Sequence, residues 1–105
     1  MRLEEQTFPV RMVLHIPQLE EGQSVQIMDK SVIFNDLNMG RQYMVPSDSI
    51  IWQDSLLLIQ TTQPIGFYDV DASLTMLADS TELLFRSYIK SLSLTEARSL
   101  EAPLA

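Results

Sequence analysis

His15 is the only histidine in the chain, and there is no cysteine. The absence of thiolates excludes disulfides, thiolate zinc sites, iron–sulfur clusters and cysteine nucleophiles. A single histidine cannot build a two-histidine metal site or a His-x-x-x-His motif within one chain. As a general base, His15 would need a nucleophile and an orienting carboxylate within hydrogen-bond reach. Its strand neighbours on the same face are Arg11 and Val13, which supply neither, so a structural or surface role is expected and its loss should be tolerated.

Asp69 and Asp71, flanking Val70, could place two carboxylates on one side of a strand end, an arrangement suited to a hard cation or to acid–base work. Asp71 is equally well placed to cap a helix, which is the plainer reading. Asp29, Asp36, Asp48 and Asp54 fall in turn-like contexts, where aspartate is favoured because it bonds its own backbone. Gly22, Gly40 and Gly66 stand too far apart for a phosphate loop or a dinucleotide fingerprint. Asn38-Met39-Gly40-Arg41 could present an arginine from a loop to an anion, although a solvated strand start explains the same residues. On these grounds no catalytic, cofactor-binding or metal-binding residue is assigned, no cofactor is expected, and the chain is not expected to be an enzyme.

Seven basic residues against 14 acidic ones give a net charge of −7, and the isoelectric point is near 4.4. That field opposes phosphate backbones and anionic lipid, so neither nucleic acid nor membrane is an expected partner. The acids are interspersed with apolar residues and read as a solubilising surface; a DNA mimic would carry them in a dense stripe. Apolar runs such as Leu56 to Ile59 fall far short of the roughly 20 residues of a spanning helix. The start, with Glu4 and Glu5 and no following apolar stretch, does not resemble a secretory signal, so a cytoplasmic location is expected.

The elements that must position these residues are read from hydrophobic periodicity. At 105 residues, 46% of them hydrophobic and 20% charged, the chain suits one globular domain. Thr7 to Ile16 alternate, with Val10, Met12, Leu14 and Ile16 on one face. Pro9 belongs at the start of that strand or on a sheet edge, and Pro17 with Glu20-Glu21-Gly22 ends it. Ser24 to Met28 and Ser31 to Asn35 read as two strands joined at Asp29-Lys30. Asn35 to Gly40 is a loop. Gln42 to Val45, Ser49 to Trp52, Leu56 to Thr61 and Phe67 to Val70 read as further strands, with a helix started by Ser47 as the rival over residues 47–60 and a turn at Gln63 to Gly66.

From Asp71 the spacing of Leu74, Leu77, Leu84, Tyr88 and Leu92 predicts an amphipathic helix, with a break where Asp79 and Glu82 have capping-box spacing. Ser93 and Glu96 suggest a second short helix, followed by a frayed tail.

The expected fold is therefore α+β: an antiparallel, meander-like sheet of five to seven short strands with the C-terminal helix docked on it through Leu84, Tyr88 and Leu92. A partly open small barrel capped by that helix is the alternative. Residues 1–92 would form the domain and 93–105 the short helix and tail. The six methionines are expected mainly as core filling. The function expected is that of a non-catalytic protein–protein interaction module, an adaptor, chaperone-like or inhibitory small acidic protein, with a homodimer formed through sheet edges as an option. A small-molecule sensor, or a small enzyme using His15 or a carboxylate pair, are the alternatives.

Overall fold

The computed structural model describes residues 6–16 and 24–104. Eight strands run in chain order: β1 (Thr7–His15), β2 (Val25–Asp36), β3 (Gln42–Met44), β4 (Ile50–Gln53), β5 (Leu56–Pro64), β6 (Gly66–Ala78), β7 (Thr81–Leu94) and β8 (Arg98–Pro103). The one helical element among the described residues is a single 3-10 turn at Ser47–Ser49. They form two four-stranded sheets, one in the order β4-β5-β1-β8 and the other in the order β3-β2-β6-β7. The chain changes sheet after β1, β3, β5 and β7. The first and last strands lie side by side and parallel, Val10 against Arg98 through His15 against Pro103. Such a pair needs a long connection, which the rest of the domain provides.

The inward residues of both sheets share one apolar cluster. Val10, Met12, Leu14, Leu57 and Ile59 come from the first sheet, and Val32, Phe34, Tyr68, Val70, Leu74 and Leu92 from the second. This is a β-sandwich, in which each sheet hides one face against the other. The Tyr68 ring meets Phe34 edge-on at 5.7 Å, and its hydroxyl donates to the Pro64 carbonyl at 2.6 Å, so the largest buried side chain also holds the crossing from β5 to β6. The molecule measures 57 × 22 × 21 Å.

The α+β expectation is overturned, and with it the helix-capped barrel. Residues 71–92 hold no helix; they are the end of β6, a turn and most of β7. Asp71 lies in mid-strand, so it caps nothing. Asp79 and Ser80, expected near a capping box, form a two-residue hairpin loop with φ of 50° and 69°, the paired left-handed conformation whose twist matches that of the flanking strands. Asp54 and Ser55 make the same loop between β4 and β5, with φ of 52° and 62°.

The second helix is replaced by β8, and beyond it Leu104 is fully buried, its N–H donating to the His15 carbonyl at 2.8 Å. Asp29-Lys30 is no hairpin: β2 runs straight through, with a bulge between Ile27 and Asp29. Over residues 47–60 the strand reading holds, with only the 3-10 turn on the helical side. Pro9 sits where expected, just before β8 begins to pair with β1 at Val10. The turn expected at Pro17 to Gly22 lies outside the described residues.

Candidate interaction surface

The chemically capable residues are kept apart or engaged. His15 is exposed on the outer face of the first sheet, beside Leu56 and Pro103 in register, and its side chain makes no hydrogen bond or ion pair among the described residues. Asp69 and Asp71 lie on the outer face of the second sheet. The Oδ2 of Asp69 accepts the Tyr88 hydroxyl at 2.9 Å and its Oδ1 accepts the Ser91 N–H at 2.9 Å. Asp71 pairs with Arg86 at 3.1 Å, the one ion pair among the described residues. Both carboxylates therefore hold β7 in place, a structural task different from the helix cap expected of Asp71.

The Asp69 contact has a clear local cause. Pairing of β6 with β7 slips between Tyr68 and Val70, leaving an extra residue on β7, and Ser91 there adopts φ of 56°. A bulge leaves a backbone N–H without its ladder partner, and the Asp69 carboxylate supplies one. The Tyr88 phenol is raised above its ordinary value near 10, first because ionisation would break the bond to Asp69, then through desolvation and the charges of Asp69 and Asp71.

Of the turn aspartates, Asp36 matches expectation: its Oδ1 accepts the N–H groups of Asn38 and Met39 at 2.9 and 3.1 Å, closing the loop in which Gly40 takes φ of 67°. Asp48 lies in the 3-10 turn and Asp54 in a hairpin loop, whereas Asp29 stands within β2. Arg41 is exposed at the loop's end, where its backbone carbonyl accepts the Asp36 N–H at 2.7 Å. No group of three or more potential metal ligands occurs among the described residues. Met12 and Met76 are fully buried, but Met28, Met39 and Met44 are exposed, so core filling accounts for only part of the methionine content.

Two surface features remain. One is a trough of about 770 Å³ at β1, β5 and β8 of the first sheet, lined by Val10, Arg11, Gln60, Thr62 and Ser99 with Pro46 beside them. The other is β7. It pairs with β6 alone, and no backbone–backbone bond from another element reaches it among the described residues; beyond Lys90 the Arg98 side chain donates to the Ser93 carbonyl at 3.1 Å, so from Glu82 to Lys90 its second edge has no strand partner among those residues. Along that edge Glu82, Leu84, Arg86, Tyr88 and Lys90 point outward, while Leu83, Phe85 and Ile89 pack inward. Leu84 is 61% exposed and Tyr88 54%. These two were expected to dock a helix; here they cover nothing.

Sequence reading missed this edge. The strict alternation Val70, Ala72, Leu74, Met76, Ala78 was the available signal for a strand, but the position of β7 at the rim follows from sheet order, which no local pattern encodes. No helix among the described residues is long and apolar enough to cross a membrane. Compared with known protein families, curated proteins and solved structures, the chain matches none.

Proposed function

We propose that this protein is a non-catalytic protein–protein interaction module that binds by adding a partner's strand to the open edge of β7. The observation that carries the reading is the run from Glu82 to Lys90, whose backbone groups along one side have no strand partner among the described residues, with the exposed Leu84 and Tyr88 beside them. Main-chain hydrogen bonds along such an edge give affinity, and alternate side chains give selectivity. Monomeric proteins usually shorten, cover or bulge an edge of this length; the bulge at Ser91 comes only after Lys90. The non-catalytic part of the proposal is supported by the engagement of Asp69 and Asp71 with Tyr88, Ser91 and Arg86, and by the position of His15 on the other sheet.

The test is affinity capture from the source cell with three baits: the unaltered chain, a Leu84→Lys/Tyr88→Lys variant and an Arg11→Gln/Arg98→Gln variant. Partners should be lost with the β7 variant and kept with the trough variant. Retention of the same partners by the β7 variant would defeat the reading.

A second reading, binding of a small anionic molecule, is favoured by the trough, where Arg11 makes no ion pair among the described residues and hydroxyl groups from Ser49, Thr62 and Ser99 lie close by. Thermal stabilisation by carboxylate or phosphate compounds that disappears in Arg11→Gln would support it, and stabilisation that persists would not.

A further inference from the structure

We infer that the strand added to β7 is β7 of a second copy of this chain, paired antiparallel about a two-fold axis at Arg86. The inference rests on the edge-binding reading above and commits it to one occupant. A two-fold axis perpendicular to the sheet sets each residue against its mirror position and keeps outward side chains on one side. With the axis at Arg86, Glu82 of each copy faces Lys90 of the other, and Leu84 faces Tyr88, each pair occurring twice. On the inner side Leu83 faces Ile89, extending the apolar layer from one sandwich into the next. Directly opposed opposite charges and aromatic–aliphatic pairs are the combinations that stabilise neighbouring strands.

Lys90 already lies 5.8 Å from the centre of the Tyr88 ring, so the facing Leu84 and Glu82 would complete one cluster of four side chains. The two Arg86 residues meet at the axis, but each is drawn back over its own sheet by Asp71. The paired segment ends at Lys90, before the bulge at Ser91 would disturb the ladder.

Other axes fit the sequence less well. At Phe85, Glu82 faces Tyr88 and Leu84 faces Arg86. At Ser87, Leu84 faces Lys90, and at Tyr88, Arg86 faces Lys90 with like charge. An axis at Leu84 opposes Glu82 to Arg86, but Arg86 is committed to Asp71, and the ladder then runs into the Asp79-Ser80 loop and leaves Lys90 without a strand partner.

The chain's lack of cysteine makes the test direct, because any disulfide must form at the site chosen. On oxidation, Arg86→Cys alone should yield a covalent dimer, since paired strand positions lie within disulfide reach. Leu84→Cys or Tyr88→Cys alone should not, while a mixture of the two should give the mixed dimer. In sedimentation over a micromolar to submillimolar series, Glu82→Lys and Lys90→Glu should each weaken dimerisation roughly tenfold or more, and the double exchange should restore it.

A monomer at every concentration together with no Arg86→Cys dimer would overturn self-pairing, and the edge reading would then stand or fall on the capture experiment. A covalent dimer through Leu84→Cys alone would overturn the register. A dimer indifferent to every β7 substitution would overturn both the inference and the edge reading. The charge exchanges touch only exposed side chains, so they decide the matter even if a cysteine variant fails to fold.

Discussion

β6 and β7 are the two arms of one hairpin, 13 and 14 residues long and paired from end to end, yet they live in different surroundings. β6 has a strand on each side, and every second residue from Tyr68 to Ala78 is buried. β7 has, among the described residues, a strand on one side only, carries Leu84 and Tyr88 into solvent, and is fastened outwardly to β6 by Asp69 and Asp71. Both arms therefore send their inward residues into the core, Phe85, Leu92 and Leu94 from β7 included, and β7 in addition has an edge without a strand partner among the described residues. A leucine's contribution here is decided by which side of its strand it occupies, since hydrophobicity is the same in both arms.

The largest effect should come from truncating one leucine in each arm, Leu74 facing inward and Leu84 facing outward. Leu74→Ala in β6 removes a fully buried side chain and should lower unfolding free energy by about 2 to 5 kcal/mol. Leu84→Ala in β7 should change it by no more than about 0.5 kcal/mol. Chemical denaturation of the two variants, at concentrations below any self-association, checks both. Equal losses would erase the distinction between the inward face of β6 and the outward face of β7.

Next in size is the link between them. Asp69→Ala removes the acceptor of the exposed Ser91 N–H and Tyr88 hydroxyl, which water can partly replace; loss of the Ser91 bond should cost about 1 kcal/mol, and backbone amide exchange should speed up around the bulge before it does elsewhere. Smaller still is the hairpin tip. Ser80 holds φ of 69°, a conformation that glycine reaches without a Cβ clash. Ser80→Gly should therefore raise stability by about 0.5 to 1 kcal/mol, measured by thermal unfolding.

The smallest effect is a pH dependence. The Tyr88 phenol is raised in the folded chain relative to its ordinary value, so its bond to Asp69 contributes fully below about pH 10 and is lost as pH rises through the higher folded value. The stability gap between the unaltered chain and Tyr88→Phe should be constant near neutrality and close in strong alkali. A gap that persists unchanged there would separate Tyr88 from Asp69.

The sequence was most informative where alternation is unbroken and turns carry a recognisable residue. Val10, Met12, Leu14 and Ile16 identify β1 and its buried face, and Asp36 with Gly40 identifies the loop after β2. The hairpin of β6 and β7 was misread for a physical reason. Leu84, Tyr88 and Leu92 are four residues apart, a spacing that fits one helix face and also the even positions of a strand. The bulge at Ser91 then shifts Leu92 to the inner side, so these three residues do not share a face at all. Neither Asp54-Ser55 nor Asp79-Ser80 contains the glycine that usually advertises a two-residue hairpin loop. Asp69 and Asp71 do share one side of a strand, the arrangement the sequence favoured less than a helix cap at Asp71, and their partners Tyr88, Ser91 and Arg86 come from a neighbouring strand whose register depends on the whole sheet.

Amide hydrogen exchange of β7, followed residue by residue as protein concentration is raised, tests most directly whether its open edge is the binding surface. Between Glu82 and Lys90, the alternate amides that point away from β6 should become protected with increasing concentration, while the rims formed by β3 and β4 stay unchanged. Exchange in that segment that is independent of concentration, or protection that grows on another rim, would contradict the account.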